Sequence, residues 1–329
     1  MTLRYIPWPP EKPEDRQIRL EQHGSLPEAV HVFDRESVEA LNAALGARRP
    51  LLVRGEPGTG KSQLARAAAA AMKRPFLSTV IDARTESRDL FWSFDAVSRL
   101  AQAQIQQALG IADAAKVRDN LKEERFLTPG PLWWTFHWKD AKTQAQKVNA
   151  TLPPEPKGWK PTDGVVLLID EIDKADSSVP NGLLEALGQG QIECPGGKVV
   201  TWNKDAAPPL VVITTNEERA LPDPFLRRCL VLHLACPDKR GDLIAWLVER
   251  GKAHFPDEGL SKVLQQAAEM LATDREEIEK QSLTPPGGAE YLDLVRALVD
   301  LGDTEDERLE LLKRLRGFTY RKHPAEPEW

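Results

Sequence analysis

Hydrophobic positions in this chain follow two alternating rhythms up to about residue 237 and a single rhythm after it. The first stretch carries short apolar runs rich in Val, Ile and Leu: "PLLVRG" (50–55), "FLSTVI" (76–81), "VVLLID" (165–170), "PLVVITT" (209–215) and "LVLHLA" (230–235). Runs this continuous, without polar alternation, predict strands buried on both faces, as in a parallel sheet covered by helices. "SQLARAAAAAM" and "SVPNGLLEALGQG" supply helices between them, the second stopped by glycines. After Pro237 helical spacing alone remains, near 239–254, 259–272, 289–301 and 305–316, with the turn signal "LTPPGG" between the second and third helices. The pattern predicts an α/β fold, a parallel five-stranded sheet sandwiched by helices, followed by a small all-α domain. The divisions that follow are an N-terminal arm (1–28), an αβα core (29–237), a helical lid (238–317) and a C-terminal tail (318–329). Before the third strand, "KTQAQKVNATLPPEPKGWKPTDG" is polar and punctuated by proline, the pattern of a mobile insertion.

Composition narrows the class. With 329 residues, 41% of them hydrophobic and 29% charged, the chain can bury a sizeable core and reads as soluble and globular. It has no run of eighteen apolar residues, and its opening "MTLRYIPWPPEKPEDR" is charged where a signal peptide is apolar, so the expectation is a cytoplasmic protein with no membrane role. Cys194, Cys229 and Cys236 are odd in number and lack metal-ligand spacing, which marks them as packing residues. The six histidines (23, 31, 137, 233, 254 and 323) lack it too and read as structural. The net charge of −6 is uneven: residues 1–237 carry 30 groups of each sign, whereas 238–329 carry 14 Lys and Arg against 20 Asp and Glu. Without a Lys/Arg-rich run, the footprint of a dedicated nucleic-acid binder is missing.

The strongest chemical signal is "GEPGTGKS", Gly55 to Ser62, which fits G-x-x-x-x-G-K-[ST] between a strand and a helix. Glycines let the backbone wrap phosphate closely with its N–H groups exposed, and the helix N-terminus adds positive potential. The nucleotide-contacting run is Gly55, Glu56, Pro57, Gly58, Thr59, Gly60, Lys61, Ser62 and Gln63. Lys61 supplies a point charge to the β/γ-phosphates of ATP, and Ser62 offers its hydroxyl to Mg²⁺.

"VVLLIDEIDKAD" places Asp170 and Glu171 at the carboxyl end of an apolar strand, where open α/β sheets bind ligands. Asp170 is the expected second metal-holding group, through the metal's water shell, and Glu171 the group that orients and deprotonates the attacking water. A carboxylate pair favours hydrolysis over transfer to a second substrate. "VVITTNEER" ends another strand in Asn216, which faces the γ-phosphate if the two strands are neighbours; an Asn after a strand is otherwise an ordinary turn former.

Together these segments resemble the AAA+ ATPase superfamily, and its MoxR branch in particular. The likeness extends from about residue 29 to 316 and includes "LLEALGQGQIECPGGKVV", "RTESRDLFWSFDAV", "GPLWW" and "TTNEERALPDPFLRRC". It implies Mg-dependent hydrolysis of ATP to ADP and phosphate by a homo-oligomeric ring, a hexamer, driving remodelling of a protein client, with proteins carrying a von Willebrand A-type domain as the expected class. It also gives Arg227 and Arg228 a purpose that "LPDPFLRRC" alone does not, since paired arginines are usually salt-bridge partners or solvated surface. In such proteins an arginine after the Asn-ended strand reaches the ATP of the neighbouring subunit; here that is Arg228, with Arg227 as second choice. The family's second sensor, an arginine at the head of a lid helix, has no counterpart in "LTPPGGAEYLDLVRAL", where Arg296 comes about two turns late. Two other classes stay open, a nucleotide-dependent switch or scaffold in a defence or signalling assembly, and a DNA-engaging motor. Trp92, Trp133, Trp134, Phe136 and Trp138 read either as packing under the insertion or, with the hairpin around "CPGGKVVTWNK", as a surface for a substrate polypeptide.

Overall fold

The computed structural model describes residues 5–8, 13–24, 26–110, 113–281 and 283–320. The final stretch of the tail, His323 included, and parts of the N-terminal arm lie outside the described residues. The chain forms two compact units, one from Met1–Pro7, Glu39–Leu52 and Ala68–Leu232, the other from Trp8–Val38, Val53–Ala67 and His233–Trp329, in each case as far as the residues are described.

The five apolar runs become β1 (Leu51–Arg54), β2 (Phe76–Val80), β3 (Val166–Asp170), β4 (Leu210–Thr215) and β5 (Leu230–His233). They form one sheet in the order β5-β1-β4-β3-β2. β3 runs parallel to both its neighbours, with Ile213 beside Ile169 and Val80 beside Asp170. Burial follows position. Central β4 is buried along its whole length, while edge strands β2 and β5 are only partly covered and leave Val80 and Val231 exposed. α1 (Lys61–Met72) buries Ala65, Ala67, Ala68 and Ala69, whose small side chains allow close backbone approach. α2 (Ser178–Gln189) ends at Gly190, whose φ of 66° makes the left-handed helix stop that the sequence signalled.

The segment expected as a mobile insertion is partly a helix, Trp138–Lys147. Trp159, further along it, is buried edge-on against Trp138, with ring centroids 4.8 Å apart, and donates its indole N–H to the Gly164 carbonyl at 2.9 Å. Proline and lysine content hid one tryptophan with enough apolar area to fix the loop. Trp133, Trp134, Phe136 and Trp138 join the same core, and Trp92 packs on it while donating to the Glu193 carbonyl. These aromatics are packing residues.

In the second unit α3 (Arg240–His254), α4 (Ser261–Lys280), α5 (Gly288–Leu301) and α6 (Glu305–Thr319) enclose a separate core including Leu247, Leu264, Leu271, Tyr291, Leu294 and Leu298. α4 runs eight residues past its expected end because Ile278 continues the apolar face. Residues Gln17–Leu20 and Ala29–Val32 pair as an antiparallel hairpin. Buried Arg66, on α1, holds it by donating to the Pro27 carbonyl at 2.8 Å and to the Glu21 carbonyl.

Candidate nucleotide site

The glycine-rich run lies between β1 and α1, as its spacing requires. Gly55 must be glycine: at φ +140° an added Cβ would stand 2.0 Å from the Leu234 carbonyl oxygen. Gly60, at φ +93°, has no heavy atom within 4 Å of where a Cβ would be, so the loop keeps an open concavity there. Buried Lys61 folds back over it, its Nζ donating to the carbonyls of Gly55 at 2.7 Å and Glu56 at 2.8 Å. The Thr59 hydroxyl closes the turn by donating to the Glu56 carbonyl at 2.9 Å. Ser62 and Gln63 follow in the first turn of α1. Positive-φ glycine, open space and an ammonium at a helix start fit a polyphosphate. Within the same unit the Gly58 carbonyl accepts the Ala289 N–H at 3.2 Å, from the first turn of α5.

A second group of polar side chains stands at the carboxyl ends of β3 and β4. Asp170 closes β3, and Glu171 follows at φ 61°, a left-handed turn that costs a non-glycine residue about 1 kcal/mol and swings its side chain out of the strand path. Buried Thr214 joins the two acids, its hydroxyl donating to Asp170 Oδ1 and accepting the Glu171 N–H at 3.0 Å. β4 ends in the same manner. Asn216 is followed by Glu217 at φ 63°, and Asn216 Nδ2 stands 3.5 Å from Glu171 Oε1. Asp173, 2% exposed, accepts the Glu218 N–H at 2.9 Å and so ties one turn to the other. Glu171 Oε2 pairs with Lys174 at 2.8 Å, and this hydrogen bond raises the Lys174 pKa. β3 and β4 are neighbours, the condition set for Asn216, and the register brings its amide to Glu171.

Arg227 and Arg228 follow the single helical turn Asp223–Leu226, anchored by fully buried Phe225. Both are exposed, and among the described residues neither guanidinium makes a hydrogen bond or ion pair. Cys229, next to them, is buried, which pushes its thiol up to about 12 and leaves it a packing residue.

Sequence reasoning missed three groups. Thr214 was hidden because one hydroxyl inside "VVITT" looks like β-branched strand filler. Asp173 was passed over as part of an acidic turn. Arg275, on α4, donates to Glu56 Oε2 at 2.8 Å and to the Pro286 carbonyl at 3.1 Å, and no spacing rule joins positions so far apart.

A sheet in this order, with a glycine-rich phosphate loop after its first strand and an acid pair after its third, defines a P-loop nucleotide hydrolase. Residues 50–229, more than half of the chain, match the family described as AAA domain (dynein-related subfamily), and the chain belongs to that family. It is accordingly an ATPase that works with ATP, ADP and Mg²⁺. Solved structures similar to it include two single-site variants of RuvB from Thermotoga maritima, each 17% identical with a TM-score of 0.44. They match over 84% and 85% of this chain and 67% and 68% of theirs. A proposed ATPase from Cytophaga hutchinsonii is 15% identical, with a TM-score of 0.38 over 86% of this chain and 79% of that one. No curated protein matches. Among the described residues, no helix is long and apolar enough to cross a membrane.

Proposed function

We propose that this chain is a MoxR-type ATPase that assembles head to tail into a cytoplasmic hexameric ring and uses ATP hydrolysis to remodel a partner protein, with a von Willebrand A-type domain protein as the candidate client. Lys61 and the loop N–H groups bind the β- and γ-phosphates. Ser62 would hold Mg²⁺ directly and Asp170 through the metal's water shell, and the bound ion would supply charge that neutralises the phosphates. Glu171 takes a proton from the attacking water, Asn216 orients that water, and Thr214 fixes both acids. Arg228 completes the site of the next protomer, with Arg227 as the alternative.

One observation carries this reading. Two adjacent exposed arginines follow a short turn anchored by buried Phe225, and among the described residues neither guanidinium has a hydrogen-bond or ion-pair partner. In the AAA+ proteins that the sequence resembles, an arginine after the Asn-ended strand reaches the neighbouring subunit's ATP, and a guanidinium supplied in trans can accelerate phosphoryl transfer about 10³- to 10⁵-fold. Head-to-tail contacts that close on themselves make rings. The test is phosphate release measured against protein concentration. Specific activity rises as the protein assembles, and Glu171→Gln still binds ATP while turning over about 10²- to 10⁴-fold more slowly. A specific activity that stays constant from monomer to assembled protein would contradict the reading.

A further inference from the structure

The turn that bears Arg228 cannot hold itself. Asp223–Leu226 is four residues long, and the N–H groups that follow it serve its own carbonyls, that of Cys229 donating to Leu226 at 3.2 Å, while the carbonyls of Arg227 and Arg228 take their donors from outside the turn. The Arg227 N–H donates to the Asp223 carbonyl at 3.0 Å and the Arg228 N–H to the Phe225 carbonyl at 3.1 Å, which fixes the leading side. The trailing side is held from far away in the sequence. Arg49 donates its Nε to the Arg228 carbonyl at 3.0 Å and its Nη2 to the Arg227 carbonyl. One residue further on, the Leu230 N–H donates to the Pro50 carbonyl at 2.9 Å. Residues 49–50 therefore grip 227–230 by three bonds.

We propose that Arg49 is a positioning residue for Arg228, setting the place and direction from which that side chain leaves its protomer; the proposal rests on the trans-acting role given to Arg228 above. Three features support it. The guanidinium is a rigid planar fork able to satisfy two successive carbonyls together, which a lysine cannot do. Its base is itself rigid: the helix Arg35–Ala47 ends with Arg48 at φ 54° and the Arg49 N–H donating to the Ala44 carbonyl at 3.1 Å. The acceptors are neutral. A carboxylate there would capture Arg228 as readily as Arg49, whereas carbonyls anchor Arg49 and leave the charge of Arg228 uncompensated. Arg48, Arg49 and Arg228 share the wall of one cavity of about 260 Å³ over Leu184, Leu187 and Trp202, so their fields add.

The test compares steady-state kinetics of Arg49→Gln, Arg49→Lys, Arg228→Ala and the double variant Arg49→Gln/Arg228→Ala. Arg49 is exposed, so its variants should fold, and nucleotide binding verifies that they do. In Arg49→Gln, kcat falls about 10- to 100-fold, as for a misplaced group, while KM for ATP and the assembly state stay unchanged. Arg49→Lys, which keeps the charge and loses the fork, falls as well. The double variant is no slower than Arg228→Ala, because Arg49 acts through Arg228. A wild-type kcat in Arg49→Gln or Arg49→Lys beside a slow Arg228→Ala overturns the role of Arg49 and leaves that of Arg228 standing. So does a loss in the double variant that multiplies the two single losses. A full rate in Arg228→Ala instead removes the trans-arginine reading itself.

Discussion

The Arg275 guanidinium donates to the Glu56 carboxylate at 2.8 Å, joining α4 to the phosphate loop within one compact unit. Arg275 is the more buried partner, with 11% of its side chain exposed against 41% for Glu56, and it also pairs with Glu279 and donates to the Pro286 carbonyl. Arg275→Met therefore removes three contacts, with an expected cost of about 1–2 kcal/mol after allowance for exposure. Thermal unfolding should report the lower stability. ATP titration should show weaker binding, because the loop loses a brace. Glu56→Gln should do less in both measurements, since Arg275 keeps its other two partners.

Thr214→Val keeps the shape of a buried side chain and deletes the hydroxyl shared by Asp170 and the Glu171 N–H. Leaving that part-buried N–H without its acceptor costs about 1 kcal/mol in stability. Turnover should fall by at least about tenfold, the scale of a carboxylate held in the wrong place. Thr214→Ser keeps the hydroxyl and should keep most of both. Equal rates in the Val and Ser variants would show that the hydroxyl does not position the acids.

His31 links stability to pH. It packs edge-on against Phe33, and burial, with the neighbouring Arg250 charge, lowers its pKa to about 4, while Asp34 opposes the shift and His254 adds to it. Because the folded protein binds this proton less readily than the unfolded chain, stability is full above about pH 6.5 and declines as pH falls toward 4. Between pH 7 and pH 5 the expected loss is about 1–2 kcal/mol from this side chain. Unfolding midpoints measured at both pH values should differ less in His31→Asn than in the unsubstituted protein.

The features legible in the sequence are those whose physics is local. Continuous apolar runs located the five strands, and glycines at φ values closed to other residues marked the loop around Gly55 and Gly60. Asp170 and Glu171 were visible because a strand that ends in two acids contrasts sharply with its own apolar body. Bonds between distant segments were invisible. Arg49 reaches Arg227 and Arg228 from far away in the sequence, Arg275 reaches Glu56 from another helix, and both use acceptors that composition does not mark. Trp159 shows the opposite failure, where polar surroundings concealed one residue that packs a whole loop.

The central claim, that one protomer's Arg228 completes the ATP site of the next, is tested most directly by mixing two inactive proteins. Arg228→Ala keeps Glu171 but offers no arginine to its neighbour, and Glu171→Gln keeps the arginine but lacks the base. Random co-assembly in equal amounts pairs an intact base with an intact arginine at about a quarter of the sites, so the mixture should recover about a quarter of the unsubstituted rate. A mixture no faster than the sum of its parts, or an Arg228→Ala protein already at full speed alone, would contradict the claim.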